Sequence, residues 1–428
     1  MQRNFITFNE DLKSLFNIDD QNIHIDGYEH VGDEIIINLS RELQLSKCPV
    51  CGELTDKVHD YYTRTINHGV FNNRKCFIKY KQRRYRCDCG KRFSLPTQFV
   101  EKYNKISANS KWSVIKEAIL VSSFKDMGKR LNMSSTTVRI IFNLHCKQSR
   151  QKLPRVLSID EFKGNSGGYK YNLSLCDPSN RKIIDILPCR YKDYLHHYFS
   201  KFSSEELNNV EVITMDMYHT YYDICKEFFP NATIVIDTFH FVRLVTNAAK
   251  KIRIRIMKKF NRTDKEYKVL KSRWRLFNTK SENISNDWKF DKRTKQWTSD
   301  SYLLDYMRNI HPELATAREL LESFYEIVHS STYPDVYSKI SNWIIESKKS
   351  NIGEYREAAL SIERWLPEIV NSFMINSDTN TKYTSSFIEG SNNYIKVIKR
   401  TSYGFRCFNT FRNKILYHHN NSRHVVSA

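Results

Sequence analysis

The chain has 428 residues, which is too long for one simple core and predicts two to four domains. Lysine and arginine number 68 against 47 acidic residues, a net charge of +21, and this excess favours nucleic acid as a partner. The alternative is a basic protein whose charge only aids solubility, but the cations concentrate in residues 74–105 and 250–275. Because no apolar run approaches the ~18 residues of a membrane span and the N-terminus has no secretion signal, we expect no membrane contact and a cytoplasmic location.

Two pairs of cysteines after an N-terminal α/β segment (1–46) predict a metal site. The paired cysteines are Cys48, Cys51, Cys87 and Cys89. Four thiolates with no open position suit a structural Zn²⁺, and residues 47–100 resemble a DNA-binding zinc ribbon with a strand from Lys75 to Arg86. Two chance pairs of core cysteines are the alternative. His59 and His68 are reserve ligands if the second pair, which is one residue tighter than usual, cannot bind; otherwise we expect them at the surface.

Residues 106–150 predict a helical domain. Asn109 to Ser122 has helical spacing, and its predicted apolar face consists of Trp112, Ile115, Ile119 and Leu120. A helix-turn-helix pattern follows, with Asn132 and Met133 in the turn and Ser134 as the cap of the second helix. The predicted inner face of that helix consists of Val138, Ile141 and Leu144.

The outer face of the second helix is the candidate DNA-reading surface. Its side chains are Thr136, Thr137, Arg139 and Asn143. Polar side chains on such a helix can contact base edges in the major groove of DNA. A plain helical hairpin is the alternative, and the basic cysteine module directly upstream favours DNA binding.

From Val156 the pattern changes to strands, in the order βββαβαβα. Three of these strands end in an aspartate, namely Asp160, Asp216 and Asp237. Open α/β sheets hold their ligands at the carboxyl ends of strands. The order is that of an RNase H-like domain, whose first and fourth strands are neighbours, so Asp160 and Asp216 should lie together and bind Mg²⁺. Glu161 points to the opposite face and is not expected to be a ligand.

Four segments make the resemblance specific. They are SIDEFKG, VEVITMDMYHTYYD, ATIVIDTFHFV and SSFIEGSNNYIKVIKRTSYGFRCFNTFRNKI. They resemble those of DDE transposases from bacterial insertion sequences, in particular the ISL3 family, and the resemblance runs from about Cys48 to Leu416. The tight Cys87/Cys89 pair departs from the family pattern and leaves the zinc ligands open.

The resemblance implies a catalytic triad of Asp160, Asp216 and Glu389 that binds two Mg²⁺ ions, with Mn²⁺ as a substitute. Asp237 and His240 are then expected to support the metal site, with an ordinary strand-end capping pair as the alternative. For Glu389 the alternative is a capping box with Ser386.

The activity implied is that of an insertion-sequence transposase, which binds terminal inverted repeats and catalyses metal-dependent strand cleavage and strand transfer. The partners implied are double-stranded end and target DNA, and a homodimer or higher oligomer in the synaptic complex, associated with the nucleoid. A DNA-binding regulator without catalysis and a host nuclease or resolvase are the alternatives.

The predicted fold is therefore multidomain: a zinc ribbon and a helix-turn-helix precede an α/β RNase H-like core with a mixed sheet. The core occupies residues 155–257, and its closing helix lies in residues 382–420. The intervening 258–381 show helical periodicity and predict an all-α insertion. Its tryptophans are Trp274, Trp288 and Trp297; stacking on an exposed base is possible chemistry, but core packing is expected. On the closing helix, Lys396 and Arg400 share a face with Glu389 and are candidate DNA contacts.

Overall fold

The structure is a computed structural model that describes residues 5–291 and 296–422. It consists of two compact units. The first unit contains the described residues before 150 and after 393, and the second unit contains residues 150–393. In the described ranges, no helix is both long enough and apolar enough to cross a membrane.

The first unit begins with a helix and a sheet. Its elements are α1 (Phe5–Leu15), β1 (Ile23–Val31), β2 (Glu34–Arg41), β3 (Ser46–Lys47), β4 (Leu54–Thr55), β5 (Val58–Phe71), β6 (Arg74–Arg86) and β7 (Arg92–Phe93). The sheet order is β1-β2-β6-β5 with β7 beside β6, and β3 and β4 form a separate hairpin. The predicted strand Lys75–Arg86 is confirmed as β6. Since β2 pairs with β6, the predicted boundary between 1–46 and 47–100 passes through a continuous sheet.

Three short helices follow: α2 (Ala108–Glu117), α3 (Phe124–Arg130) and α4 (Ser135–His145). The predicted turn is confirmed, because Asn132 has a positive φ of 54° and Ser134 accepts a hydrogen bond from the Thr137 backbone N–H. Gly128 allows α3 and α4 to approach closely, since a Cβ there would lie 2.5 Å from the Met133 carbonyl oxygen.

Two predicted inner faces in this region are partly wrong. Trp112 and Leu120 are exposed, because α2 ends at Glu117 and buries Val114 instead. Leu144, in the last turn of α4, is 71% exposed, and Phe142 takes its place in the core. Helical periodicity located the helices but did not decide which stripe the neighbouring helices cover.

The second unit contains a mixed sheet with helices around it. Its first elements are β8 (Val156–Phe162), β9 (Asn172–Asp177), β10 (Lys182–Leu187), α5 (Lys192–Phe199), α6 (Ser204–Asn208), β11 (Val212–Met215), α7 (His219–Phe228), β12 (Thr233–Ile236) and α8 (Thr238–Met257). The strand order is β10-β9-β8-β11-β12. Strands β8, β11 and β12 are parallel, while β9 is antiparallel to both of its neighbours. The predicted strands and their order are confirmed, as is the pairing of the first strand with the fourth.

The long segment after α8 is mainly helical. It contains α9 (Lys265–Ser272), α10 (Trp274–Asn278), β13 (Lys289–Asp291), β14 (Gln296–Thr298), α11 (Asp300–Asn309), α12 (Pro312–Ser330), α13 (Tyr333–Lys349), α14 (Gly353–Arg364), α15 (Leu366–Asn371), β15 (Ile375–Asn376) and β16 (Thr381–Lys382). The all-α prediction is therefore wrong at the short pairs β13–β14 and β15–β16. One hydrophobic core continues from the sheet into these helices, so the segment packs on the sheet. The three tryptophans predicted to be core residues are exposed.

Two helices close the chain: α16 (Ser386–Thr401) and α17 (Phe408–Ser422). Within the first unit, α17 packs on the three short helices, and the Lys414 ammonium donates to the Ala118 carbonyl oxygen at the end of α2 over 3.1 Å. Tyr417 donates to the Ile115 carbonyl oxygen. The predicted helix-turn-helix segment thus shares its core with the C-terminal helix.

Candidate active site

The carboxylates of Asp160 and Asp216 are positioned by neighbouring parallel strands. Residues Val156–Ile159 of β8 pair in register with Val212–Met215 of β11, and each aspartate is the next residue along its strand. Burial and the nearby Asp216 carboxylate raise the pKa of Asp160 to about 7. Two carboxylates held this close repel each other when both are ionised, and a divalent cation would relieve that repulsion.

Asn392 holds the Asp160 carboxylate in place. Its side-chain amide donates to Asp160 Oδ2 over 2.7 Å, and its own oxygen accepts from the Ser174 hydroxyl over 2.8 Å. The amide is buried within the second unit and reaches the site from α16. The sequence analysis missed Asn392. This residue lies one helical turn after Glu389, and that spacing could have indicated that the two side chains are neighbours on the helix.

His240 contacts the other aspartate. Its Nε2 lies 2.9 Å from Asp216 Oδ1, and this hydrogen bond raises the pKa of the imidazole. Asp237 has a different position: it is the N-cap of α8, and its carboxylate accepts from the Phe239 backbone N–H over 2.7 Å. The histidine thus lies against a predicted metal ligand, whereas the aspartate makes the capping contact that was the alternative.

Glu389 lies in the first turn of α16 and is exposed. The capping box with Ser386 does not form, because the helix begins at Ser386 and the Glu389 N–H bonds to the Ser385 carbonyl oxygen. In the described ranges, only the four paired cysteines bring three or more His, Cys, Asp or Glu ligand atoms within 4.8 Å of one another. The glutamate is therefore on the predicted helix but does not complete a compact cluster with the two aspartates.

Glu161 is turned away from the aspartate pair, as expected. Its carboxylate accepts from Arg190 over 2.5 Å and from the Tyr221 hydroxyl over 3.2 Å. The Arg190 guanidinium also lies over the ring of Tyr218, 5.1 Å from its centre. Glu161 and Arg190 thus form an ion pair near the carboxyl end of β8, which holds the Glu161 carboxylate away from the aspartates.

The four cysteines form a second site in the first unit. Cys48 Sγ lies 3.7 Å from Cys89 Sγ, and Cys51 Sγ lies 3.4 Å from Cys87 Sγ. Four thiolates around Zn²⁺ at about 2.3 Å lie about 3.8 Å apart, so these residues fit a tetrahedral ion. Gly52 and Gly90, which directly follow the two cysteine pairs, have positive φ and allow the chain to turn there. The geometry supports a structural zinc site with all four cysteines, including the tight second pair.

Neither reserve histidine joins the cysteine cluster. The surface prediction is wrong for His68, which is buried and bonded through its two ring nitrogens to Ser107 Oγ and the Phe16 carbonyl oxygen. Burial lowers the pKa of this imidazole. Within the first unit, His68 therefore ties the sheet to the residue that follows α1 and to the N-cap of α2.

Comparison with known proteins identifies the family. A family described as "Transposase", of the DDE type and the ISL3 group, matches residues 157–415, which is more than half of the chain. The chain belongs to the ISL3 family of insertion-sequence transposases. The zinc finger of the transposases of IS204, IS1001, IS1096 and IS1165 matches residues 44–89 of this transposase, which contain the four cysteines.

Two curated proteins are similar to this transposase. The transposase for insertion sequence element IS1001 of Bordetella parapertussis is 20% identical over 385 residues, covering 88% of this chain and 90% of the relative. A protein named ATP-dependent protease, from Lactococcus lactis subsp. lactis, is 26% identical over 124 residues, covering 29% of this chain and 36% of the relative. The long match agrees with the family, and the short one concerns under a third of the chain.

The predicted DNA-contacting residues of this transposase differ in their exposure. Thr136 and Arg139 are exposed, and Thr137 is half-buried with its backbone N–H bonded to the Ser134 cap. The expectation that Asn143 faces outward is wrong, because its amide donates to Thr410 Oγ1 of α17 over 3.0 Å. Lys396 and Arg400, the candidates on α16, are both exposed.

Proposed function

We propose that this transposase cleaves DNA at the ends of its insertion sequence and joins the cut strands to target DNA, using Asp160, Asp216 and Glu389 to bind two Mg²⁺ ions. The observation that carries the proposal is the pair of aspartates at the ends of adjacent parallel strands, where burial and the Asp216 carboxylate raise the pKa of Asp160. The strand order supports an RNase H-like core, with β8 at the centre and an antiparallel neighbour on one side.

Each protein group has a defined task in this mechanism. Asn392 and His240 hold the carboxylates of Asp160 and Asp216 in fixed orientations. Glu389 is exposed on α16 and makes no capping box, so its carboxylate is available as the third ligand. When bound, the two ions would activate water or a DNA 3′-OH and stabilise the leaving oxygen of an in-line phosphoryl transfer. The attacking group is then water or the DNA itself, and no protein nucleophile is required.

DNA binding is proposed for the first unit. The zinc ribbon and the α3–α4 pair supply a basic surface upstream of the catalytic sheet, with Thr136 and Arg139 exposed on α4. We assign the terminal inverted repeats to this surface and propose that two or more copies of the chain hold the two ends of the element together. The sequence-derived boundaries 47–100 and 106–150 remain our proposal for its modules.

The test is cleavage of end-containing DNA by purified full-length protein in Mg²⁺. Asp160→Asn, Asp216→Asn and Glu389→Gln should each abolish strand cleavage while thermal stability and gel-shift binding stay near wild type. Glu346→Gln is the matched control, because Glu346 is another exposed helical glutamate, and it pairs with Lys349 one turn away. Wild-type cleavage by Glu389→Gln would remove this residue from the site. Wild-type cleavage by both aspartate variants would refute the mechanism, and binding without cleavage by the wild-type protein would favour a DNA-binding regulator.

A further inference from the structure

A strongly basic cavity lies among the helices that follow α8 in the second unit. Its volume is about 1210 Å³, and α9 and α10 form much of its wall. The cationic residues that line it are Arg262, Lys265, Lys268, Lys271, Arg273 and Arg275. Among the described residues of the lining, Asp300 is the one carboxylate, and the Lys289 ammonium pairs with it over 3.0 Å. The cavity therefore carries a large net positive charge.

Most of this charge is not neutralised by acidic side chains. Arg273 pairs with the buried carboxylate of Asp291 over 2.6 Å. In residues 5–291 and 296–422, no carboxylate forms an ion pair with the other five cations of the lining. These five cations are all exposed, so an anionic ligand can reach them from solvent.

The acids of the same stretch of chain have partners elsewhere. Residues 261–275 contain two acids, Asp264 and Glu266, and neither lines the cavity. The Asp264 carboxylate accepts from the Asn261 backbone N–H over 2.7 Å, and the Glu266 carboxylate accepts from the Tyr306 hydroxyl over 3.1 Å. The cations and the acids are thus separated by the fold, although they alternate in the sequence.

Aromatic rings hold three of the cations without neutralising them. A ring attracts a cation through the negative face of its π-system and adds no net negative charge. The three cations therefore remain available to a negatively charged ligand. Their distances to the ring centres are 4.8 Å for Lys265 over Tyr306, 5.5 Å for Lys271 over Tyr267 and 5.3 Å for Arg275 over Trp274.

The size of the cavity and the spacing of its cations favour a long polyanion over a small anion. Pockets for small molecules usually measure about 300–1,000 Å³, and this cavity is larger. Lys265, Lys268 and Lys271 follow one another at intervals of three residues on α9, and each interval is a rise of about 4.5 Å. Successive phosphates of a DNA strand lie about 3.4 Å apart along the duplex axis. A row of lysines can therefore contact a row of phosphates.

We propose that this cavity binds the phosphate backbone of duplex DNA without reading its base sequence. The inference rests on the proposed function, because joining element ends to target DNA requires the protein to hold target DNA as well as the ends. Contacts from lysine and arginine to phosphate fix the position of a duplex and carry no sequence information. The cavity thus adds to the catalytic unit a DNA contact that suits target DNA of any sequence.

The test measures how binding of a fluorescent duplex depends on salt. The duplex has random sequence and about 20 base pairs, or two helical turns, and the parent protein is full-length Asp160→Asn, which should not cleave it. Adding Lys268→Gln with Lys271→Gln should reduce the slope of log affinity against log salt concentration by about 0.9 for each lost phosphate contact, or about 1.8 for two. The ratio of parent affinity to variant affinity should then shrink about 10-fold as salt rises from ~50 to ~200 mM.

Two further variants of the parent separate charge from structure. Lys268→Arg with Lys271→Arg should keep the slope of the parent, because both charges remain. Lys201→Gln with Lys226→Gln is the matched control, since both lysines are exposed in the second unit and neither lines the cavity. Lys226 also lies over an aromatic ring, 5.5 Å from the ring centre of Tyr222, as Lys271 does over Tyr267. The control should likewise keep the slope of the parent.

Three results would overturn parts of the proposal. An equal slope for Lys268→Gln with Lys271→Gln and for the control would remove the cavity from the DNA-binding surface. A reduced slope with end-containing duplex alone would overturn the independence from sequence. A larger loss of affinity for a single strand of the same length would overturn the preference for duplex DNA. Because none of these measurements depends on cleavage, failure here is distinguishable from failure of the catalytic proposal.

Discussion

Replacing Asn392 with alanine tests whether the buried amide positions the metal-binding carboxylate. The substitution removes the 2.7 Å hydrogen bond to Asp160 Oδ2. Ser174 loses one acceptor but keeps its hydrogen bond to the Asp160 carbonyl oxygen over 3.1 Å. The change thus acts mainly on the Asp160 carboxylate.

The expected loss of cleavage rate in Asn392→Ala follows from the strength of the hydrogen bond that is removed. A hydrogen bond to a charged acceptor contributes about 1.5–3 kcal/mol. If the transition state for cleavage no longer receives that contribution, the rate falls by roughly 10- to 150-fold, since about 1.4 kcal/mol corresponds to a factor of ten. We expect partial recovery at high Mg²⁺ concentration, because a less firmly oriented carboxylate binds the ion more weakly.

The assay is single-turnover cleavage of end-containing DNA across a Mg²⁺ titration, with thermal unfolding measured in parallel. Asn371→Ala is the matched control, because that amide donates to the Ile234 carbonyl oxygen over 2.9 Å and, among the described residues, contacts no candidate ligand. Both variants should lose similar stability, and only Asn392→Ala should lose cleavage. Equal cleavage by the two variants, or a loss in Asn392→Ala that Mg²⁺ does not lessen, would refute the positioning role.

Three further predictions concern other parts of the chain. Cys48→Ser, or zinc chelation, should weaken binding to element ends by unfolding the ribbon, with zinc content measured by atomic absorption; undiminished binding without zinc would contradict this. His240→Ala should reduce cleavage strongly and leave end binding unchanged in a gel shift, whereas parallel loss of stability and activity would indicate a structural role. Burial lowers the pKa of Lys414 from 10.5 to about 8, so between these pH values the unfolded chain holds a proton that the folded chain has lost. As pH rises through that window, the free energy of unfolding of wild type should increase relative to that of Lys414→Met by up to about 3 kcal/mol. A difference between the two proteins that does not change with pH in denaturant unfolding would disprove the effect.

The local features of the chain were predictable from its sequence. Short apolar runs that end in Asp160 and Asp216 specify strands with an acid at the carboxyl end, and β8 and β11 have that form. Likewise, Ser134 predicts the start of α4, because a serine hydroxyl satisfies a free N–H of the first turn. Such signals involve residues within a few positions of each other, so one stretch of sequence contains all the information.

Tertiary structure alone decided which distant residues meet. Asn392 reaches Asp160 across 232 residues of chain, and Asn143 reaches Thr410 across 267. The sequence marked Trp297 and Leu144 as core positions, but both are exposed because no element in the described part of the chain covers them. Periodicity assigns a residue to one face of its own helix or strand, whereas burial depends on which elements pack against that face. The acids and the cysteines could therefore be identified from the sequence, but the amide that orients one acid became visible only in the folded chain.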